Sequence, residues 1–175
     1  AGGSVMEVGG LLRAQYTQGH QLFQGVLADV DDAVANDASG LGTVGSIGSI
    51  YAHTVFTEDL LVSGFTGKPP LYTAGGWAAR IAVPMPGIQQ TAEWAAGVRL
   101  DVSLFNDYAK QVWAATEDFV GGLSSADLER EIPGPGGRPS TLLTLIGNVG
   151  VIHLNEHMGE IAAIKGMRGL KGLSF

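Results

Sequence analysis

The last helical stretch of the chain reads Val151-Ile152-His153-Leu154-Asn155-Glu156-His157-Met158-Gly159-Glu160-Ile161. At ~100° per residue, His157 projects ~40° from His153 and Glu160 ~20° to its other side, so the three share one face on successive turns. Two imidazoles at i and i+4 can converge on one divalent cation, a spacing that metal sites on helices use. Two ligands do not complete a site. A third candidate is His53, on the inward stripe of an upstream helix beside Ser49, Ile50, Phe56 and Thr57, and facing helices of a bundle can supply ligands to a shared interior point. Three neutral imidazoles leave coordination positions for water or substrate, as a catalytic ion requires. On spacing alone the alternative stays open: core histidines hydrogen-bonded to partners in a polar interior.

Glu160 is placed to support an imidazole from behind. Glu156, ~60° from His153 by the same rotation, stands at the border of the buried face, either as a base or as a solvated group. His153 to His157 also spells H-x-x-E-H, a zinc-protease pattern in which the Glu activates the metal-bound water. Such enzymes take a further ligand well downstream, and only 18 residues follow His157, so the protease reading ranks last. His20 lies near the edge of the first helical stripe, one turn after Tyr16, and reads as solvated or structural rather than ligating.

Four helical stripes must position these groups. Leu12, Tyr16, Gly19, Phe23, Val26, Leu27 and Val30 recur at helical spacing and give way to a turn-prone acidic stretch from Asp29 to Gly40. The second helix carries Val44, Ile47, Tyr51, Thr54, Val55, Leu61 and Phe65, with Thr43 as the expected N-cap. Gly45 and Gly48 weaken its start by about 1 kcal/mol each relative to Ala unless a close neighbour needs the missing side chains. From Gly64 to about Gln90, Gly and Pro recur too often for a helix, while Leu71, Tyr72, Trp77, Ile81, Val83 and Met85 predict a long crossover that packs down. Thr91 is expected to cap a third helix running without interruption from Trp94 to Phe119, and Gly121-Gly122 to end it. Ser124 to Ser140 reads as a second surface loop. Ser140 or Thr141 opens the last helix, with the stripe Leu142, Leu145, Ile146, Val149, Ile152, His153, His157, Ile161 and Ile164, followed by a glycine-spaced tail to Phe175. No strand alternation of useful length appears, so the expected fold is an all-α four-helix bundle formed as a single domain over residues 1–175.

The chain of 175 residues is 45% apolar and 15% charged, the composition of a folded domain. Ten basic against 17 acidic residues give a net charge of −7, which offers nothing to a phosphate backbone or an anionic lipid surface. Neither nucleic acid nor membrane is an expected partner. Cysteine is absent, which removes disulfides, thiolate ligands and a cysteine nucleophile. Ala1-Gly2-Gly3-Ser4 reads as a cloning remnant, and the first ten residues lack the basic start and apolar run of a secretory signal, so a cytoplasmic location is the expectation.

A mid-helix His in the second helix, a long crossover and a final helix with H-x-x-x-H followed by Gly159-Glu160-Ile161-Ala162-Ala163-Ile164-Lys165-Gly166 resemble the DinB/YfiT-like family of metalloenzymes. The resemblance is strongest over Ile152 to Gly166 and extends into Gly166-Met167-Arg168-Gly169-Leu170-Lys171-Gly172-Leu173. It implies an up-down-down-up bundle with the long connection between helices two and three. It also implies a divalent ion, zinc or nickel, on one His of the second helix and two of the fourth, here His53, His153 and His157. Characterised members of that family include S-transferases and an isomerase that use mycothiol, bacillithiol or a similar small thiol, which the metal holds as thiolate. The expected partner is therefore a small-molecule substrate, with metal-dependent transfer or hydrolysis as the reaction and Glu160 and Glu156 as supporting residues. The alternative is a non-catalytic bundle that binds a metal or a small ligand. Homodimers are frequent among such relatives, and pairing through a helix face is expected here, with Trp77, Trp94 and Trp113 among the large apolar groups.

Overall fold

Apolar residues at three- and four-residue steps give the first helix, α1 (Val8–Leu27), a buried face of Leu12, Tyr16, Phe23, Val26 and Leu27. The computed structural model describes residues 7–87 and 90–173; the N-terminal Ala1–Ser4 segment and Phe175 lie outside them. Within the acidic stretch that follows α1, Asp31 accepts a hydrogen bond from the Val34 N–H and starts a short helix, α2 (Asp32–Asn36). The central rod is α3 (Ile47–Thr66), capped by Ser46, whose hydroxyl accepts from the Ser49 N–H at 3.1 Å. Thr43 is not the cap, because Gly45 at φ +89° holds the chain out of helical geometry until Ser46. Gly48 does serve a close neighbour: a Cβ there would sit 3.0 Å from the Ala35 carbonyl oxygen.

After α3 the crossover forms a one-turn helix, α4 (Leu71–Ala74), and a 3-10 turn at Trp77–Ala79. It packs down as expected, with Trp77, Ile81 and Val83 buried. The fastening is Asp59 of α3, itself buried, which accepts from the backbone N–H groups of Leu71 and Tyr72, both at 2.8 Å, and from the Tyr108 hydroxyl at 2.7 Å.

The third helix is broken in two. Thr91 caps only α5 (Ala92–Gly97). The chain then extends through Val98 and restarts at α6 (Val102–Gly121) under an Asp101 cap. The break is held from α2: Asn36 bonds both the N–H and the carbonyl of Leu100, and Asp32 accepts from the Val102 N–H. These side chains satisfy backbone groups that a continuous helix would have satisfied internally.

Beyond α6 come a capping-box helix, α7 (Ser125–Glu129), and an antiparallel hairpin of β1 (Glu131–Pro133) with β2 (Pro139–Thr141). At three residues per strand, the hairpin is too short to leave an alternating pattern in the sequence. Thr141 then caps α8 (Leu142–Leu145), which runs through a π-helical segment, Ile146–Ile152, into α9 (His153–Met167).

Contacts fix the helix directions. Tyr16 meets Ile146, Gly19 meets Leu154, and Lys165 reaches Val26, so α1 and α9 run the same way. Tyr51 bonds Asn106 and Phe65 stacks on Phe119, so α3 and α6 run together, opposite to α1, whose Gly9 lies against Gly121. Phe23, Tyr51, Phe56, Phe105, Tyr108 and Trp113 fill the centre, largely in edge-to-face pairs.

The π-helical segment has a visible cause. Tyr16 donates from its hydroxyl to the Ile146 carbonyl at 3.1 Å, and its ring occupies the space that a side chain at position 150 would need: a Cβ on Gly150 would lie 1.5 Å from the Tyr16 hydroxyl oxygen. Bonding from i to i+5 rotates the residues that follow relative to an α-helix. Ile152, expected inside, is accordingly 49% exposed, while Gly150 is buried. Replacing Gly150 with Ala should therefore overpack the α1 contact and cost about 1–3 kcal/mol in urea unfolding. Gly159→Ala, where nothing lies within 4 Å, should instead be neutral or stabilise by about 0.5–1 kcal/mol. Equal effects of the two would contradict the wedge.

Candidate metal centre

α3 and α9 lie side by side, and His53 of α3 meets His153 and His157 of α9. His153 Nε2 lies 2.9 Å from His53 Nε2 and 3.0 Å from His157 Nε2. The rings stand nearly perpendicular to one another in two of the three pairs, with interplanar angles of 67°, 89° and 89°, so edges rather than faces come together. All three residues are half-buried. The π-helical shift explains why: Leu154, Met158 and Ile161 take the deepest positions of α9, and the two histidines flank them, closer to solvent than a regular stripe would place them.

Glu160 stands behind His157, with Oε2 2.7 Å from Nδ1. A carboxylate only accepts, so Nδ1 of a neutral His157 carries the proton and Nε2 presents its lone pair to the other two rings. Burial, followed by the charge of His157, pushes His53 down to about 4. Burial and the charges of His157 and His53 push His153 down to about 3. At neutral pH both rings are uncharged. Glu156 is exposed and makes none of the cluster's hydrogen bonds.

Hydrogen bonding among the rings does not account for this arrangement. A single N–H on His153 Nε2 can point at only one of the two nitrogens it faces. One shared cation accepts a lone pair from each ring at once, and the donor set suits zinc, nickel and similar ions.

His20 is elsewhere. It is buried in the core between Glu58 of α3, 3.1 Å from Nε2, and Glu117 of α6, 2.7 Å from Nδ1, with Trp113 stacked on it at 5.0 Å. Burial alone would push the ring down, but the two carboxylates outweigh it and hold His20 above its ordinary value. The structural role expected of this residue is thus specific: it ties α1 to α3 and α6. Sequence reading missed its partners and missed Asp59. The available signal was Glu58-Asp59 in the middle of an otherwise apolar helix, where buried acids require partners.

The DinB superfamily model matches residues 15–161. The chain belongs to the DinB superfamily. A crystal structure of a conserved protein from Enterococcus faecalis superposes with a TM-score of 0.75 at 23% identity, covering 93% of this chain and 99% of that one, and supports the fold. No curated protein matches the chain. Among the described residues, no helix of this DinB protein is long and apolar enough to cross a membrane.

The depressed histidines set a pH dependence with a definite sign. Between about 4 and the ordinary histidine value of ~6.5, the unfolded chain binds protons at positions 53 and 153 that the folded chain does not, so stability rises with pH there and is full above it. His20 has the opposite sign, its contribution being lost as pH rises through its elevated value. Metal-free protein should therefore melt at a lower temperature at pH 4.5 than at pH 7, and a His53→Asn/His153→Asn double variant should show a flatter acid limb. An unchanged limb would contradict the proposed neutral state of the two rings.

Proposed function

We propose that this DinB protein binds one divalent metal ion, zinc or nickel, through His53, His153 and His157 and uses it to activate a small thiol cosubstrate for transfer to an electrophilic substrate. The observation that supports the reading best is the convergence of three Nε2 atoms with Glu160 behind one of them. With His153 Nε2 2.9 Å from His53 Nε2 and 3.0 Å from His157 Nε2, these three residues would hold one divalent ion, and three protein ligands would leave coordination positions for water or substrate. Half-burial of all three rings keeps those positions within reach of solvent and substrate.

A divalent ion there supplies positive charge that lowers the pKa of a bound thiol, otherwise near ~8.5 and mostly protonated at neutral pH. The chain supplies the rest. Burial keeps His53 and His153 neutral, so no proton must leave them before a cation binds. Glu160 accepts from His157 Nδ1–H, holds the ring's orientation and raises the basicity of the ligating nitrogen. The chain has no cysteine, so a thiol must arrive with the cosubstrate. Hydrolysis by an activated water uses the same residues and is the second reaction such a centre can serve.

Calorimetric titration of metal-free protein with zinc or nickel should show one equivalent bound. Glu160→Gln should weaken binding by about 10–100-fold, His153→Ala should abolish it, and Glu156→Gln should leave it unchanged. Uptake surviving His153→Ala would overturn the site. Adding a small thiol to the nickel-loaded protein should produce a thiolate-to-nickel charge-transfer band. If the band is absent while the metal still binds, the thiol reading fails and the metal site stands.

A further inference from the structure

His20 of α1 is a buried titratable group that the metal centre does not use. It is 2% exposed and lies between two carboxylates: Nε2 is 3.1 and 3.2 Å from the oxygens of Glu58, and Nδ1 is 2.7 Å from Oε1 of Glu117. A neutral imidazole carries one N–H and one lone pair. With a single N–H, one of the two carboxylates would face a lone pair at hydrogen-bond distance. With both nitrogens protonated, each carboxylate accepts an N–H. The ring also stacks on Trp113, with centroids 5.0 Å apart and planes 19° from parallel, and an indole face attracts a cation at that range.

The charged groups facing the ring are both anionic, Glu58 from α3 and Glu117 from α6. Asp59, next along α3, is turned to Leu71, Tyr72 and Tyr108. On α1 itself Tyr16 lies 5.8 Å from the ring, and its hydroxyl, held protonated by burial and by the charge of Glu58, donates to the Ile146 carbonyl. α9 meets α1 here through Leu154 against Gly19, and its buried cation, Lys165, is engaged with Val26 and Asp29.

The two carboxylates are not equivalent. Glu58 is 1% exposed, and its side chain is bonded to His20. Glu117 is 20% exposed, and its second oxygen accepts from the Thr17 hydroxyl at 2.7 Å. Taking the N–H away from Glu58 would leave a buried charge without water or donor, which is the costly case. Glu117 can exchange the ring for solvent. The proton that leaves first is therefore the one on Nδ1, and its way out is the carboxylate that solvent reaches.

We infer that this triad is a proton-operated latch: His20 holds both carboxylates as an imidazolium at neutral pH, and in alkaline solution it gives up the Nδ1 proton through Glu117, which lets go of the ring while Glu58 stays bound. Glu117 Oε1 takes that proton and passes it to water, so the ring ends neutral with its Nε2–H on Glu58 and both carboxylates ionised.

The test is the ring ¹⁵N spectrum of metal-free protein, with His20 assigned by elimination as His53, His153 and His157 are each replaced by Asn. At about pH 7.5, where an ordinary imidazole of pKa ~6.5 is roughly nine-tenths neutral, both nitrogens of His20 should carry protons. On raising the pH, Nδ1 should lose its proton and Nε2 keep it. Glu117→Gln preserves an acceptor for Nδ1 but removes the charge, and should weaken proton binding by His20 at least tenfold. A ring with one proton at about pH 7.5 overturns the imidazolium, and an alkaline form protonated on Nδ1 overturns the exit through Glu117. Unchanged proton binding in Glu117→Gln overturns the part assigned to that carboxylate; should the variant not fold, the wild-type tautomer alone decides.

Discussion

Two ring nitrogens, of His53 and His157, within 2.9 and 3.0 Å of a third, that of His153, form the constraint on which this molecule turns. Half-buried imidazoles are costly unless every nitrogen has a partner, and here the three Nε2 edges aim at one another, with Glu160 taking the other nitrogen of His157. The arrangement survives only if α3 and α9 are held at fixed distance and rotation. Much of the remaining fold can be understood as what holds them.

The ties are polar and buried. Glu58 and Glu117 grip His20 from α3 and α6, so α1 is joined through one ring to its neighbour α6 and, across the core, to α3. Lys165, two turns beyond His157 and 2% exposed, donates to the Val26 carbonyl and to Asp29, fastening the end of α9 to the end of α1. A cation at a helix C-terminus is placed where free carbonyls concentrate negative charge. Buried ion pairs add little net stability over apolar packing; their contribution here is positional, because each bond accepts one register of one helix against another. Tyr16, wedged against Gly150, sets the rotation of α9 by the same logic of close contact.

Much of this was legible in the residues and some was not. The i, i+4 histidines and His53 stood out because two different stripes carried imidazole among apolar side chains, and the structure brings all three together. Local periodicity also placed the long helices and the packed crossover. It failed where a distant partner decides the backbone. Residues 92–119 carry an unbroken apolar pattern, yet Asn36 and Asp32 hold Leu100 and Val102 out of the helix from another element. Ile152 fits an α-helical stripe, but the π-helical turns imposed through Tyr16 rotate it outward. Helical rotation already set Glu160 closer to the histidine face than Glu156, and the coordinates add which ring it bonds, His157 through Nδ1, while Glu156 is exposed. His20 finds its carboxylates 38 and 97 positions away, a separation no periodicity reports.

Metal-edge X-ray absorption on the zinc-loaded protein addresses the central claim most directly, because it reports the atoms around the ion. The expected spectrum fits three imidazole nitrogens at ~2.0–2.1 Å with lighter scatterers in the remaining positions, and fits two after His53→Ala. A wild-type spectrum fitted by fewer than three imidazoles, or one unaltered by the loss of His53, would contradict the account.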